Sequence, residues 1–192
     1  MNAPALLRLS APVLALALAG CLSPAPREPS CWTVEAFPSA VERAEKAKWD
    51  SVRLGRVEVC APWDARRIAV MRGDGSVAFD SFNVFAAEPA ALLRRAAMET
   101  LSLTGLAGTA VLTQSSAAFA RRTLEITVTR LALDCRGEGR LASVALVATL
   151  LEGREAVAQV RAEATRDAAS GDWSTAFSAA FAKALSDALG RL

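Results

Sequence analysis

The sequence contains no histidine and no tyrosine. Without histidine, a Ser-His-Asp or Cys-His catalytic centre, a histidine-ligated metal site and a histidine pH switch are all excluded. The 192 residues carry 22 basic and 20 acidic side chains, for a formal net charge of +2. That near balance argues against a nucleic-acid-binding protein, which usually has a strong basic excess. The length suits one folded domain with a short additional segment.

The first twenty residues have the three parts of a secretory signal. Arg8 is their only charged residue, an apolar run covers residues 11–19, and small residues precede Cys21. The apolar run is about half the roughly twenty residues that a membrane-spanning helix needs. The sequence Leu-Ala-Gly-Cys at residues 18–21 is typical of a bacterial lipobox, in which the cysteine thiol is acylated before cleavage. We therefore expect a signal peptide at residues 1–20 and a covalent lipid anchor on Cys21, with no other cofactor.

The residues that follow Cys21 predict a tether and a location. Residues 21–30 contain three prolines and are expected to form a short, stiff connection to a domain at residues 31–192. The residue after Cys21 is Leu22, whereas an aspartate there tends to hold bacterial lipoproteins at the inner membrane. This favours the outer membrane, with the domain facing the periplasm and acyl chains such as palmitate as its only attachment.

The patterning of residues 31–192 predicts an α+β domain, in which two long helices pack on a mostly antiparallel sheet. The helices are predicted at residues 89–103 and 173–189, where apolar residues recur every three or four positions. A slip in the alternation of apolar residues predicts a β-bulge near Arg130, and Gly55 marks a second candidate bulge. Strands are predicted at residues 31–37, 52–59, 68–71, 77–79 and 109–113, followed by a meander at 124–135, 141–151 and 156–165.

Three cysteines remain after the lipobox: Cys31, Cys60 and Cys135. An exported protein folds in an oxidising compartment, so a disulfide is one interpretation, and three pairings are open. If the strand that Cys31 opens and the strand that Cys60 closes are antiparallel neighbours, a Cys31–Cys60 bond is favoured. The alternative is three thiols with no bond. Three scattered cysteines without histidine do not predict a metal site.

No catalytic motif emerges from the sequence. It has no phosphate-binding glycine loop and no G-x-S-x-G turn. Ser115 and Ser116 have no histidine to activate them, and nothing in the spacing connects either one to Lys46, Lys48 or Lys183. We therefore predict a non-enzymatic protein with no catalytic residue.

Residues 57–89 carry the most informative pattern. They contain the turn Ala61-Pro62-Trp63-Asp64, strands at residues 67–72 and 77–79, and a helix entry at residues 85–89. Together with the lipobox and the C-terminal helix, these segments resemble the PqiC-like family of auxiliary lipoproteins of MCE-type lipid ABC transporters. The family usually has tryptophan where Phe85 stands.

This resemblance implies a non-enzymatic lipoprotein that contacts the MCE-domain protein of a transporter moving lipid between the two membranes, and so contributes to envelope integrity. It is also compatible with a homo-oligomer. Trp63, Phe82 and Phe85 are the candidate partner contacts, with packing over the helix start as the alternative. A scaffold lipoprotein for barrel or lipopolysaccharide assembly is a second hypothesis. An enzyme acting on lipid or cell wall is a third, which the absence of histidine disfavours.

Overall fold

A computed structural model describes residues 28–192 of the chain. The predicted signal peptide, Cys21 and most of the tether lie outside these residues, and so the assignments made for them stay predictions. The elements are β1 (Ser30–Trp32), a 3-10 turn (Pro38–Ala40), β2 (Trp49–Val59), β3 (Arg67–Arg72), β4 (Val77–Phe85), α1 (Pro89–Thr104), β5 (Ala107–Leu112), β6 (Arg122–Cys135), β7 (Leu141–Glu152), β8 (Glu155–Asp167) and α2 (Trp173–Arg191).

The strands form one mixed sheet that divides along β6. On one edge, β7 pairs antiparallel with β6 over nearly its whole length, and β8 pairs with β7. The other edge is shared, because β2 runs parallel to β6 as far as Val128 and β3 runs parallel to it from Ala132 onward. β5 extends the β2 branch, and β4 and β1 extend the β3 branch. The predicted bulge is confirmed, since the β6–β7 register shifts between Val128 and Arg130, where the branches separate.

The α+β class with two long helices is confirmed. The sheet itself is mixed, because four of its seven strand pairings are parallel. The second predicted bulge is also present, as a register shift between Leu54 and Val57 around Gly55. Both helix starts match the patterns: Pro89 occupies the first turn of α1, and Asp172 Oδ1 accepts a hydrogen bond from the Thr175 N–H at the start of α2, at 3.1 Å.

Helix α2 lies at the centre of the core. It contacts β7 and β8 on one side and α1 and the 3-10 turn on others. A helix buried on nearly every side cannot be amphipathic in the usual sense, and its small residues let these neighbours approach closely. The buried residues of α2 are Trp173, Ala176, Phe177, Ser178, Ala179, Ala180, Phe181, Ala182, Ala184, Leu185, Ser186, Ala188 and Leu189.

The segment at residues 33–42, which we call the strap, leaves the sheet and lies along α2. Ser174 Oγ donates to the Thr33 carbonyl oxygen at 2.7 Å. The hydroxyl oxygens of Ser178 and Ser186 accept hydrogen bonds from the backbone N–H groups of Glu35 and Glu42, each at 3.0 Å. The predicted strand at residues 31–37 is therefore wrong beyond Trp32, because helix hydroxyls rather than a neighbouring strand satisfy this backbone.

The predicted Cys31–Cys60 disulfide is absent from the structure, and both thiols are free and exposed. Cys31 lies in β1, which is separated from β6 by β3 and β4, whereas the N–H of Cys60 donates directly to Val128 of β6. Cys60 follows β2 on the edge of β6 that β3 also occupies, two strand spacings from β1. At about 4.8 Å per spacing, roughly 10 Å separates the two residues, beyond the limit of about 7 Å between Cα atoms for a disulfide. The premise of neighbouring strands was wrong, because β1 pairs with β4.

Removing the Ser178 hydroxyl should destabilise the domain through the strap. The Ser178→Ala variant leaves the Glu35 N–H without its partner, at an expected cost of about 1–2 kcal/mol in the free energy of unfolding. Urea denaturation measures it. Ser102→Ala is the matched control, since Ser102 is exposed and bonds only to its own helix at Met98. Equal stability of the two variants would contradict the role assigned to the serines of α2.

Candidate functional site

The three predicted contact aromatics do not form one surface. Phe85 is 1% exposed, and its ring packs edge-to-face on Phe177 with 5.5 Å between the ring centres. The assignment of Phe85 as a partner contact is therefore wrong, because β4 ends there and turns its side chain into the core under α2. Trp63 is half-buried against the core, and Phe82 is exposed.

The segment that carries the family resemblance builds the entry to α1. The N–H of Phe85 donates to the carbonyl oxygen of Arg66 at 2.7 Å. In return, the Arg66 guanidinium donates to the carbonyl oxygens of Phe85 and Ala86 at 3.1 and 3.2 Å. These reciprocal hydrogen bonds connect the segment after the Trp63 turn to the residues that precede α1. Much of the pattern at residues 57–89 thus stabilises the fold of the domain itself.

Phe85→Ala should unfold the domain far more readily than Phe82→Ala. Truncation of a fully buried phenylalanine costs about 3–5 kcal/mol, whereas an exposed residue is expected to cost about 1 kcal/mol or less. Chemical denaturation with circular dichroism compares the two variants. If Phe82→Ala were the more damaging change, the assignment of one residue to the core and the other to the surface would fail.

Within residues 28–192, neither Ser115 nor Ser116 forms a side-chain hydrogen bond with a lysine. Lys183 donates to Asp187 at 2.6 Å and to Glu42 at 3.1 Å, and these hydrogen bonds raise its pKa. A lysine that acts as a base needs the opposite, a lowered pKa. Lys48 donates to the Gly190 carbonyl oxygen at 2.9 Å, and Ser115 shares a hydrogen bond with the Thr113 hydroxyl at 3.3 Å.

Three further features of the described part of the chain bear on the search for a site. Within residues 28–192, no cluster of three or more acidic, cysteine or histidine side chains is suited to hold a metal ion. No helix in this range has the length and apolarity to cross a membrane. A groove of about 950 Å³ lies between β8 and the end of α2 and is lined mainly by charged residues such as Glu42, Arg161, Glu163 and Arg191.

A different residue, Phe119, is the most exposed large apolar side chain in the described chain. It is 85% exposed and lies in the loop between β5 and β6. Together with Lys48, Asp50, Arg121 and Arg122 it borders a shallow groove of about 340 Å³. We call these five residues the far-end surface. The sequence pattern missed it, because a single phenylalanine among alanines and serines has no periodic signal.

The loop that carries Phe119 is held in place by Arg53 of β2. The Arg53 guanidinium donates to the carbonyl oxygens of Thr113 and Ser116, both at 2.9 Å, and also to those of Gln114 and Ala118. One side chain thereby satisfies four backbone acceptors of a segment without regular structure. The loop is preorganised, so that presenting Phe119 to a partner costs little additional ordering.

Positive charge flanks Phe119. Arg122 donates to Glu152 at 2.9 Å, and Arg121 lies 3.6 Å from the same carboxylate. The Arg122 hydrogen bond, aided by the charges of both arginines, lowers the pKa of Glu152. Arg121 stays largely exposed, and Lys48 adds a second exposed cation. An exposed aromatic ring with arginine beside it has the composition of an interface hot spot.

The far-end surface lies away from the point where the tether joins the domain. Ser30 of β1 pairs with Asn83 of β4, and β4 in turn pairs with β3 beside Ala132 of β6. Arg122, in the far-end surface, is the first residue of β6. Ten positions of β6, from Arg122 to Ala132, separate the two levels, roughly 30 Å along the strand at about 3.3 Å per residue.

Replacement of Arg53 should release the loop without unfolding the domain. In Arg53→Ala the backbone amides of residues 113–120 are expected to exchange hydrogen faster, because the four carbonyl oxygens lose their shared donor. Hydrogen exchange with mass spectrometry resolves this loop. Arg56→Ala is the matched control, since Arg56 is an exposed arginine of the same strand whose hydrogen bond goes to Glu58. Unchanged exchange in Arg53→Ala would show that the loop is ordered by other contacts.

Comparison with known proteins gives a family and a fold. Residues 34–192 match the family model described as ABC-type transport auxiliary lipoprotein component. A crystal structure of a protein from Xanthomonas campestris is similar at 20% identity, with a TM-score of 0.60, over 82% of this chain and 88% of that one. A second solved protein, uncharacterised, is 13% identical with a TM-score of 0.61, over 83% and 97% of the two chains. No curated protein matches.

Proposed function

We propose that this chain, which belongs to the family of ABC-type transport auxiliary lipoprotein components, is a non-enzymatic subunit of an MCE-type system that moves lipid between the inner and outer membranes. The family match over residues 34–192 is the observation that carries the proposal. The lipobox at Cys21 and the pattern at residues 57–89 support the same assignment. In this role the domain binds a partner and performs no chemistry.

The anchor places the domain at one membrane. Acylation of Cys21 gives stable attachment when two or more chains are added, because each buried methylene contributes about 0.8 kcal/mol. Leu22 in place of an aspartate directs the anchored protein to the outer membrane, facing the periplasm. The partner, an MCE-domain protein, then reaches the domain from the inner-membrane side. Homo-oligomers of the anchored domain would present several copies to one partner.

The far-end surface is the proposed contact with that partner. It combines the exposed ring of Phe119 with Arg121 and Lys48 on a loop that Arg53 holds rigid. Its position, roughly 30 Å along β6 from the start of the domain, points it away from the tether. A partner that approaches from the opposite membrane meets this end first. The complementary surface on the partner would offer an apolar pocket with acidic residues around it.

Substitution of Phe119 tests the contact. Phe119→Ala should reduce recovery of the MCE-domain protein from crosslinked membranes several-fold, because it removes the apolar anchor of the interface. Val77→Ala is the matched control, since Val77 is also exposed, at 40%, but lies at the start of β4, level with Asp134 at the other end of β6. Equal recovery with both variants would contradict the far-end contact. Recovery of only barrel proteins, even with the unaltered chain, would favour the scaffold hypothesis.

Replacement of Cys21 tests the anchor separately. Cys21→Ser removes the only thiol that the lipobox chemistry can acylate, so the protein is expected to leave the membrane fraction. Cell fractionation measures its distribution, and mass spectrometry of the N-terminus of the unaltered protein identifies the acyl chains. Cys60→Ser, which removes an exposed thiol of the domain, is the control. Membrane association that survives in Cys21→Ser would contradict lipid anchoring.

A further inference from the structure

A bulge in β4 projects Phe82 out of the sheet. β4 pairs with β3 at Phe79 and again at Val84, and the four intervening residues lie opposite the single residue Ile68. Asp80 Oδ1 closes the bulge, because it accepts hydrogen bonds from the N–H groups of Phe82 at 2.8 Å and Asn83 at 2.9 Å. Phe82 is 45% exposed at this position. Bulges commonly serve to re-aim one side chain in this manner.

The bulge is held from both neighbouring strands. From β3, the Arg67 guanidinium donates to the carbonyl oxygens of Asp80 at 3.3 Å and Phe79 at 3.5 Å. From β1, Trp32 Nε1 donates to Asn83 Oδ1 at 2.9 Å. These contacts fix the position of an exposed apolar ring relative to the sheet, and the exposed Arg67 places a cation at the same site.

The chain from Cys21 reaches the domain beside this bulge. β1 begins at Ser30, whose partner in β4 is Asn83, the residue next to Phe82. Nine peptide units join Cys21 to Ser30, and even fully extended they span at most about 30 Å. An acylated Cys21 would therefore keep the edge formed by β1 and β4 within about 30 Å of the bilayer.

We propose that Phe82 is a membrane-contact residue, whose ring lies at the boundary between the lipid headgroups and the acyl chains and sets the orientation of the anchored domain. This inference rests on the proposed function, because it requires the lipid on Cys21. Since that lipid already confines the domain to the surface, one ring has only to select an orientation and need not supply the binding affinity. Arg67 beside it is suited to a lipid phosphate. With Phe82 on the bilayer, the far-end surface faces away from it.

Photocrosslinking tests this orientation in the full-length, lipidated protein. A benzophenone-bearing phenylalanine analogue is placed at Phe82 or, as the matched control, at Phe119, and the purified protein is reconstituted in vesicles of phosphatidylethanolamine and phosphatidylglycerol. Phe119 is the stricter control because it is the more exposed of the two, at 85%. After irradiation, mass spectrometry should find a phospholipid adduct at position 82 in several-fold higher yield than at position 119. Equal yields, or crosslinking of position 82 to another protein chain instead of lipid, would overturn the inference.

The same spectra separate two kinds of failure. The mass of the N-terminal peptide reports whether Cys21 carries acyl chains. An acylated protein without the adduct at position 82 overturns the membrane contact alone and leaves the anchor intact. A protein without acyl chains overturns the anchoring on which the inference rests, and the membrane contact with it.

Discussion

The enclosure of α2 on nearly all sides is the constraint on which the rest of the structure depends. β7 and β8 cover one side of the helix, α1 covers another, and the strap at residues 33–42 closes what remains. Burial of this much apolar surface is the main stabilising contribution to the domain. The strap has no strand partner there, and its backbone is satisfied by Ser174, Ser178 and Ser186 instead.

This enclosure ties the start of the domain to its core. The strap follows directly after β1, and Trp32 of β1 packs against Trp173 of α2 with 5.7 Å between the ring centres. Any force that a membrane anchor exerts on Ser30 is therefore passed to buried residues rather than to a loose end. If Cys21 carries the proposed lipid, this connection keeps the domain near the bilayer, because a frayed first strand would lengthen the tether.

The division of the sheet at β6 separates the two exposed phenylalanines. Phe82 lies in β4, on the branch of β3, β4 and β1, where the tether joins the domain. Phe119 lies next to the first residues of β2, on the branch of β2 and β5. Each is held by an arginine that donates to backbone carbonyl oxygens: Arg67 at the bulge and Arg53 at the loop. In both places, irregular backbone is stabilised by one guanidinium so that an apolar ring can remain exposed.

The sequence alone determined what depends on local periodicity and local chemistry: the lipobox pattern, both helices, the meander, the bulges near Gly55 and Arg130, and the family. Tertiary structure alone decided the outcomes that depend on distant neighbours. Phe85 lies in the core and Phe82 on the surface, and the four-residue bulge of β4 between Phe79 and Val84 that carries Phe82 is held by Arg67 and Trp32 of the neighbouring strands. The loop that carries Phe119 accepts its hydrogen bonds from Arg53, sixty-six positions before Phe119 in the chain. The separation of Cys31 from Cys60 depends on parallel pairing of β1 with β4, and pairing between distant strands has no signature in a single strand's pattern.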